Sequence, residues 1–254
     1  MTDANIWNQL FSWPILNLLT VFYKLFEVAR IPGAFGWAII ALTILIRILL
    51  YPLTKQQLLS AKKMQQLKPR LDELNKKHKD DKVKLQQAQM DLYKEVGINP
   101  AAGCLPLLIQ MPVFISLYNV FIHVLNTDTS KVVESINTVL YHPSLHVNQL
   151  DLSFFGVNLA TKPNQWQTFG VWLLAVPVIT GLLQFLQTRL MTPPAASNKE
   201  KQEDQMAAVQ QQMMFIMPVM IGFFSLSFPI GLALYWNAFS LFGIMQQIQI
   251  NKHV

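Results

Sequence analysis

The run Phe35–Leu53, FGWAIIALTILIRILLYPL, constrains the chain more than any other stretch. It holds nineteen residues with no acid, no amide and a single charge, Arg47. As a helix, at about 1.5 Å per residue, it extends about 28 Å, close to the ~30 Å hydrocarbon core of a bilayer. An arginine inside such a helix costs roughly 2.5–3.5 kcal/mol on insertion scales, so something must pair or hydrate it. One reading is snorkelling, with the long side chain reaching the headgroups. The other is a buried polar site. Geometry favours the second. Arg47 stands six residues before Leu53, about 9 Å from the basic end of the run. Helical side chains lean toward the helix N-terminus, here away from Lys55 and deeper into the run. Thr43, Tyr51 and Thr54 lie four before, four after and seven after Arg47, and so share its face.

The rest of the composition agrees with a membrane setting. The 254 residues are 52% hydrophobic and only 13% charged, whereas soluble domains carry about 25% charged residues. The expected fold is an all-α polytopic membrane protein. Cys104 is the single cysteine, so no disulfide or cysteine-based metal site forms within one chain. The opening stretch, Met1–Phe11, has no basic region followed by a small-residue cleavage site. A signal peptide is therefore not expected, and with no cysteine nearby neither is a lipoprotein anchor.

Residues 1–34 read as an extracytoplasmic arm. Within it, Leu18, Val21, Phe22, Leu25 and Phe26 fall on one helical face, interrupted by Lys24, Glu27 and Arg30. That pattern predicts an amphipathic helix in the membrane interface, with a sixth span as the alternative. Residues 35–254 form the core. Its spans are expected at about 35–53, 103–125, 168–186, 209–226 and 230–249. Between the first two, residues 55–99 carry eleven Lys/Arg against six Asp/Glu. Met64, Leu67, Leu71 and Leu74 repeat at helical spacing, as do Leu85, Leu92 and Val96. Two amphipathic helices turning at His78–Asp81 make an antiparallel hairpin; a solvated helical loop is the other reading. Acids are interspersed and Tyr93 is its one aromatic, which argues against direct nucleic-acid recognition. Residues 126–167 read as a long polar connection, and 189–206 as a second hydrophilic loop with a flexible Pro193-Pro194 stretch.

Five spans put the termini on opposite sides. One side then carries fifteen Lys/Arg and the other four, with Arg47 between them. The positive-inside rule makes the richer side cytoplasmic, with the N-terminus outside and the C-terminus inside. None of the five spans contains an acid. There is no HExxH, no GxSxG and no glycine-rich phosphate loop. His142 and His146 admit a zinc pair or, more simply, two surface histidines. Neither catalysis, a cofactor nor a metal is expected. An arginine among amides and hydroxyls is suited to attracting an anion.

Several stretches together resemble the YidC/Oxa/Alb family of membrane protein insertases. Gly103–Phe114, GCLPLLIQMPVF, is similar to the family's second core span. Met213–Pro218, MMFIMP, resembles its fourth, and Phe228–Asn237, FPIGLALYWN, with Gln246-Gln247, its last. Arg47, followed by Tyr51-Pro52-Leu53 and a basic hairpin, resembles its first span and cytoplasmic loop. The likeness covers roughly residues 35–249. It implies a five-helix core around a hydrophilic groove open to cytoplasm and lipid, in a bacterial cell membrane. There Arg47 would attract the acidic outer segment of a substrate without nucleotide consumption. Gln187 and Trp236 are the groove companions that the resemblance implies. Gln110, Gln184 and Asn237 are added on polarity alone, with interhelical hydrogen bonding as their other reading. Implied partners are nascent or newly made membrane proteins and the bilayer. The Sec translocon, the ribosome and the signal-recognition machinery would be reached through cytoplasmic loops. The family's large periplasmic domain has no counterpart in the 254 residues, so a short form is expected. A small-molecule transporter or channel, or a non-catalytic assembly scaffold, are the competing readings.

Overall fold

The computed structural model describes residues 3–78, 81–97, 105–126, 129–191 and 205–253. Helices dominate it. A π-helical turn, Asn8–Ser12, leads into α1 (Trp13–Val28). Next come α2 (Ala34–Leu49), α3 (Tyr51–Gln66), α4 (Lys68–Lys77) and α5 (Lys82–Glu95). They are followed by α6 (Leu105–Asn126), α7 (Thr129–Asn137), α8 (Trp166–Phe169), α9 (Ala175–Met191), α10 (Gln205–Ser225) and α11 (Ile230–His253). A two-stranded antiparallel hairpin, β1 (Ser153–Phe154) and β2 (Val157–Asn158), precedes α8.

The core lies where α1, α2, α6, α7 and α11 meet. Leu16, Leu19 and Tyr23 of α1 pack with Phe35, Ile39 and Leu42 of α2, Leu117 and Phe121 of α6, and Leu232 and Tyr235 of α11. The α1 helix is apolar on more than one face. The side facing this core is Ile15, Leu16, Leu19 and Tyr23, whereas Leu18, Val21 and Leu25 of the expected stripe are exposed. The arm is therefore packed onto the core while presenting a second apolar face outward.

The run 35–53 is divided. α2 ends at Leu49, and Tyr51–Leu53 open α3. Pro52 has no N–H and its ring crowds the preceding turn, which breaks the helix at Leu50. Helical hydrogen bonding still spans the break, with Leu50 N–H donating to Ile46 O and Thr54 N–H to Leu50 O. Gly170, at φ 111°, separates α8 from the helix that follows, so Thr168 and Phe169 do not join it. From Val171 to Leu190 the chain is long and apolar enough by itself to cross a membrane; Ala34–Leu49 and Met214–Ser225 are shorter apolar helices.

From residue 129 to 167 the long polar connection is structured. Val132, Val133 and Ile136 bury one face of α7 in the core, and Val139, Val147 and Leu159 follow them. Its last part also holds the α10–α11 turn: Ile230 N–H donates to Thr161 O, Gly231 N–H to Leu159 O, and Asn164 N–H to Leu226 O. The basic hairpin is α4 against α5, with α3 leading in. Leu67, Leu92 and Tyr93 are buried between them, with Leu71, Leu74 and Val96 alongside. Arg70 pairs with Glu95 and Gln89 with Asn75, an antiparallel register. Asp81 caps α5 by accepting from Lys84 N–H. Lys79 and Asp80 of the expected turn, the first residues of the 103–125 run and the Pro193-Pro194 stretch lie outside the described residues.

Large apolar side chains also cover the outside of the helices. Val178, Ile179, Leu182 and Leu186 of α9 are exposed, as are Phe215, Ile216, Val219 and Phe223 of α10 and Leu241, Met245 and Ile248 of α11. Such continuous exposed apolar surface marks contact with lipid or with a partner. At the α9–α10 crossing, Gly181 and Gly222 bring the two backbones together, the small-residue packing that membrane helices use.

Candidate functional site

Arg47 occupies the last turn of α2, and α11 packs against both α2 and α9. Its side chain is only 5% exposed. The guanidinium lies over the Phe239 ring, 3.4 Å from Cζ to the ring centroid. Nη2 donates to the Phe239 carbonyl at 2.5 Å and Nη1 to Gln246 Oε1 at 3.4 Å. A hydrogen bond from a charged donor is worth ~1.5–3 kcal/mol. A desolvated cation–π contact adds ~2 kcal/mol. Together these match the cost of holding the charge in an apolar helix. Nε has no partner, and no carboxylate pairs with Arg47 among the described residues.

Gly243 makes this arrangement possible. A methyl group there would lie 2.5 Å from Arg47 Nη2 and 2.8 Å from Gln187 Nε2. The guanidinium of α2 and the amide of α9 thus converge on one bare patch of α11. Two N–H donors meet there, and among the described residues no acid pairs with the arginine. Phe239, Gly243 and Gln246 were not among the expected site residues. Their spacing of four and three along α11 puts them on one face, but nothing in the local sequence says that Arg47 faces it.

The other expected residues divide into pairs. Trp236 Nε1 donates to Gln184 Oε1 at 3.0 Å, joining α11 to α9. Gln184 also donates to Thr188 Oγ1. Gln110 donates to the hydroxyl of Tyr235, which is fully buried. Tyr235 in turn lies 6.1 Å from the Phe239 ring, which connects this pair to the arginine. Asn237 Oδ1 and Ser240 Oγ are buried on α11 without a partner among the described residues. Thr43 is on the Arg47 side of α2 and fully buried, but its hydroxyl donates to Ile39 O in its own helix. Tyr51 stands across the Leu50 break, half-buried at the start of α3. Away from this site, His142 Nδ1 accepts from Ser144 N–H and caps a short 3-10 turn.

The comparisons with known proteins point in one direction. A family model described as "60Kd inner membrane protein" matches residues 27–254. A protein of Oceanobacillus iheyensis named "Membrane protein insertase YidC" is 33% identical over 251 residues, covering 97% of this chain and 84% of that one. Proteins of the same name from Thiobacillus denitrificans and Rhizobium meliloti are each 34% identical, over 96% and 97% of this chain. The chain spans only 38% and 37% of those two relatives. With nearly its whole length matched, the chain belongs to the 60Kd inner membrane protein family, the family of the YidC insertases.

Proposed function

We propose that this chain is a membrane protein insertase, not an enzyme, in which Arg47 draws the acidic outer segment of a substrate into a polar groove between α2, α9 and α11. The observation that carries this reading is the buried arginine, held by a carbonyl, an aromatic face and Gln246, with no carboxylate partner among the described residues. Gln187 supplies a second donor at the same place. Gln184 and Trp236, Gln110 and Asn237 form the polar lining beyond it. The substrate's Leu, Ile, Phe and Val then favour lipid and supply the drive.

In this reading α2, α6, α9, α10 and α11 are the five spans. Their exposed apolar residues support it, and the lysine and arginine excess of the α3–α5 segment puts that segment and the C-terminus in the cytoplasm. Partners are newly made membrane proteins and the bilayer, with the α4–α5 hairpin as the surface for Sec, ribosome or signal-recognition contacts.

The test is insertion of a single-span substrate with an acidic outer tail into vesicles holding the chain. Arg47→Ala at equal abundance is expected to impair insertion, and a substrate with a neutral tail is expected to lose that sensitivity. Arg47→Lys keeps the charge but not the planar guanidinium over Phe239, so it should fall between. Normal insertion of the acidic substrate by the Ala variant would overturn the role of Arg47. Solute flux in the same vesicles would favour a transporter or channel instead.

A further inference from the structure

The β1–β2 hairpin turns on Phe155 and Gly156, at φ 49° and 80°. Two successive positive φ values belong to the tight hairpin turn that Asn-Gly or Gly-Gly adopts freely. A phenylalanine in that conformation carries a backbone penalty that Gly or Asn would avoid. Burial does not offset it, because Phe155 is 79% exposed. Strain kept in an exposed residue points to something outside the chain.

The hairpin packs against the start of α2. The ring of Phe154 fills the notch left by Gly33 and Gly36, where any added methyl group would collide with it. Trp37, one position on, is edge-on to Phe154 at 5.7 Å and to Phe155 at 6.3 Å, and is itself 36% exposed. Leu25 and Val28 of the outward face of α1 are exposed, and so are Arg30 and Ile31 in the turn that leads to Gly33. Trp37 is ten residues before Arg47, about 15 Å along the helix and toward its other end. Exposed tryptophan and phenylalanine with a basic residue close by in the chain are what the boundary between headgroups and acyl chains selects.

We propose that Phe155 and Trp37 form an aromatic anchor that seats the outer end of α2 in the headgroup–acyl boundary of phospholipid, with Arg30 toward the phosphates. This rests on the reading of α2 as a span. Its consequence is mechanical: the helix that carries Arg47 is held at a fixed depth from the opposite leaflet.

The experiment uses the full chain in vesicles of phosphatidylethanolamine and phosphatidylglycerol. A photoactivatable phenylalanine analogue replaces Phe155, Phe223 or Glu95 in turn, and adducts are weighed by mass spectrometry. The expected result is a phospholipid adduct at 155 comparable in yield to that at 223, with none at 95. An adduct at 223 but not at 155, or an adduct at 155 to protein only, overturns the anchor and leaves the spans standing. No lipid adduct at either position overturns both.

Discussion

Gly243→Ala tests whether α11 presses on the arginine. The new methyl carbon would lie 2.5 Å from Arg47 Nη2, where ordinary contact begins at 3.4 Å, so the guanidinium must retreat by roughly 0.9 Å. Gln187 Nε2, 2.8 Å from the same carbon, must move too. The bond from Nη2 to the Phe239 carbonyl is then lost or badly stretched, which costs ~1.5–3 kcal/mol for a charged donor. Against this, alanine in a helix interior is about 1 kcal/mol better than glycine. The balance is a destabilisation of about 0.5–2 kcal/mol, modest beside the displacement of both donors. Thermal unfolding in detergent should show the small loss. Insertion of an acid-tailed substrate should fall while a neutral-tailed one is unaffected. A variant stabilised by about 1 kcal/mol that still inserts the acid-tailed substrate normally would refute the close contact and the convergence at Gly243.

Three further outcomes follow from the packing. Gln110→Leu or Tyr235→Phe alone strips the other partner of its buried bond and should each cost ~1–3 kcal/mol, whereas the double variant should recover much of the loss in a thermal-stability cycle. Gly222→Leu forces a side chain into a site where even a methyl carbon meets the Pro177 carbonyl at 3.2 Å; overpacking of this kind costs about 1–3 kcal/mol and should lower the melting temperature. Burial raises the Tyr23 phenol above its usual value of 10.0, the N–H that Asp151 donates to its oxygen works against the shift, and the nearby Glu27 charge adds to it. The stability it contributes is present below pH ~10 and lost as pH rises through the raised value, so melting followed from about pH 8 to about pH 11 should fall more steeply for the native chain than for Tyr23→Phe.

Helices were legible wherever an apolar period was long. The hairpin stripes were read from Met64, Leu67, Leu71 and Leu74 and from Leu85, Leu92 and Val96; Leu67, Leu71, Leu74, Leu92 and Val96 do pack together, while Leu85 stands outside that cluster. The α1 helix was found but its core-facing side only in part: Phe22 and Phe26 pack against the core, whereas Leu18, Val21 and Leu25 are exposed, because apolar residues surround the helix and periodicity cannot choose between two greasy faces. The folded connection was missed for a different reason. Val132, Ile136 and Val139 do keep helical spacing, but the surrounding Thr, Ser, Asn and Lys lower the average below what reads as structure. Phe154 gives no sign at all: its place is set by Gly33 and Gly36, more than a hundred residues earlier. At the site, Arg47 announced itself by being a charge in an apolar run. Of its partners only Gln246 is polar in the sequence; a backbone carbonyl, a ring and a missing Cβ carry no polar signature.

That partner set bears on how the proposed insertase could release what it binds. A carboxylate 4 Å from Arg47 would gain ~4 kcal/mol at an effective dielectric of 20. To do so it must displace contacts already worth ~1.5–3 kcal/mol for the charged hydrogen bond and up to ~2 for the aromatic face. The exchange is close to balanced. Were Arg47 bare, an acidic segment would be held too tightly to move on. Were it paired with an acid of its own chain, the segment would not be drawn at all. A neutral carbonyl and the face of Phe239 lie between these extremes. Phe239→Ala therefore tests the balance: it should tighten binding of an acidic peptide and slow its release into lipid. Unchanged release in a time-resolved insertion assay would mean that the Phe239 ring does not compete with the substrate for Arg47.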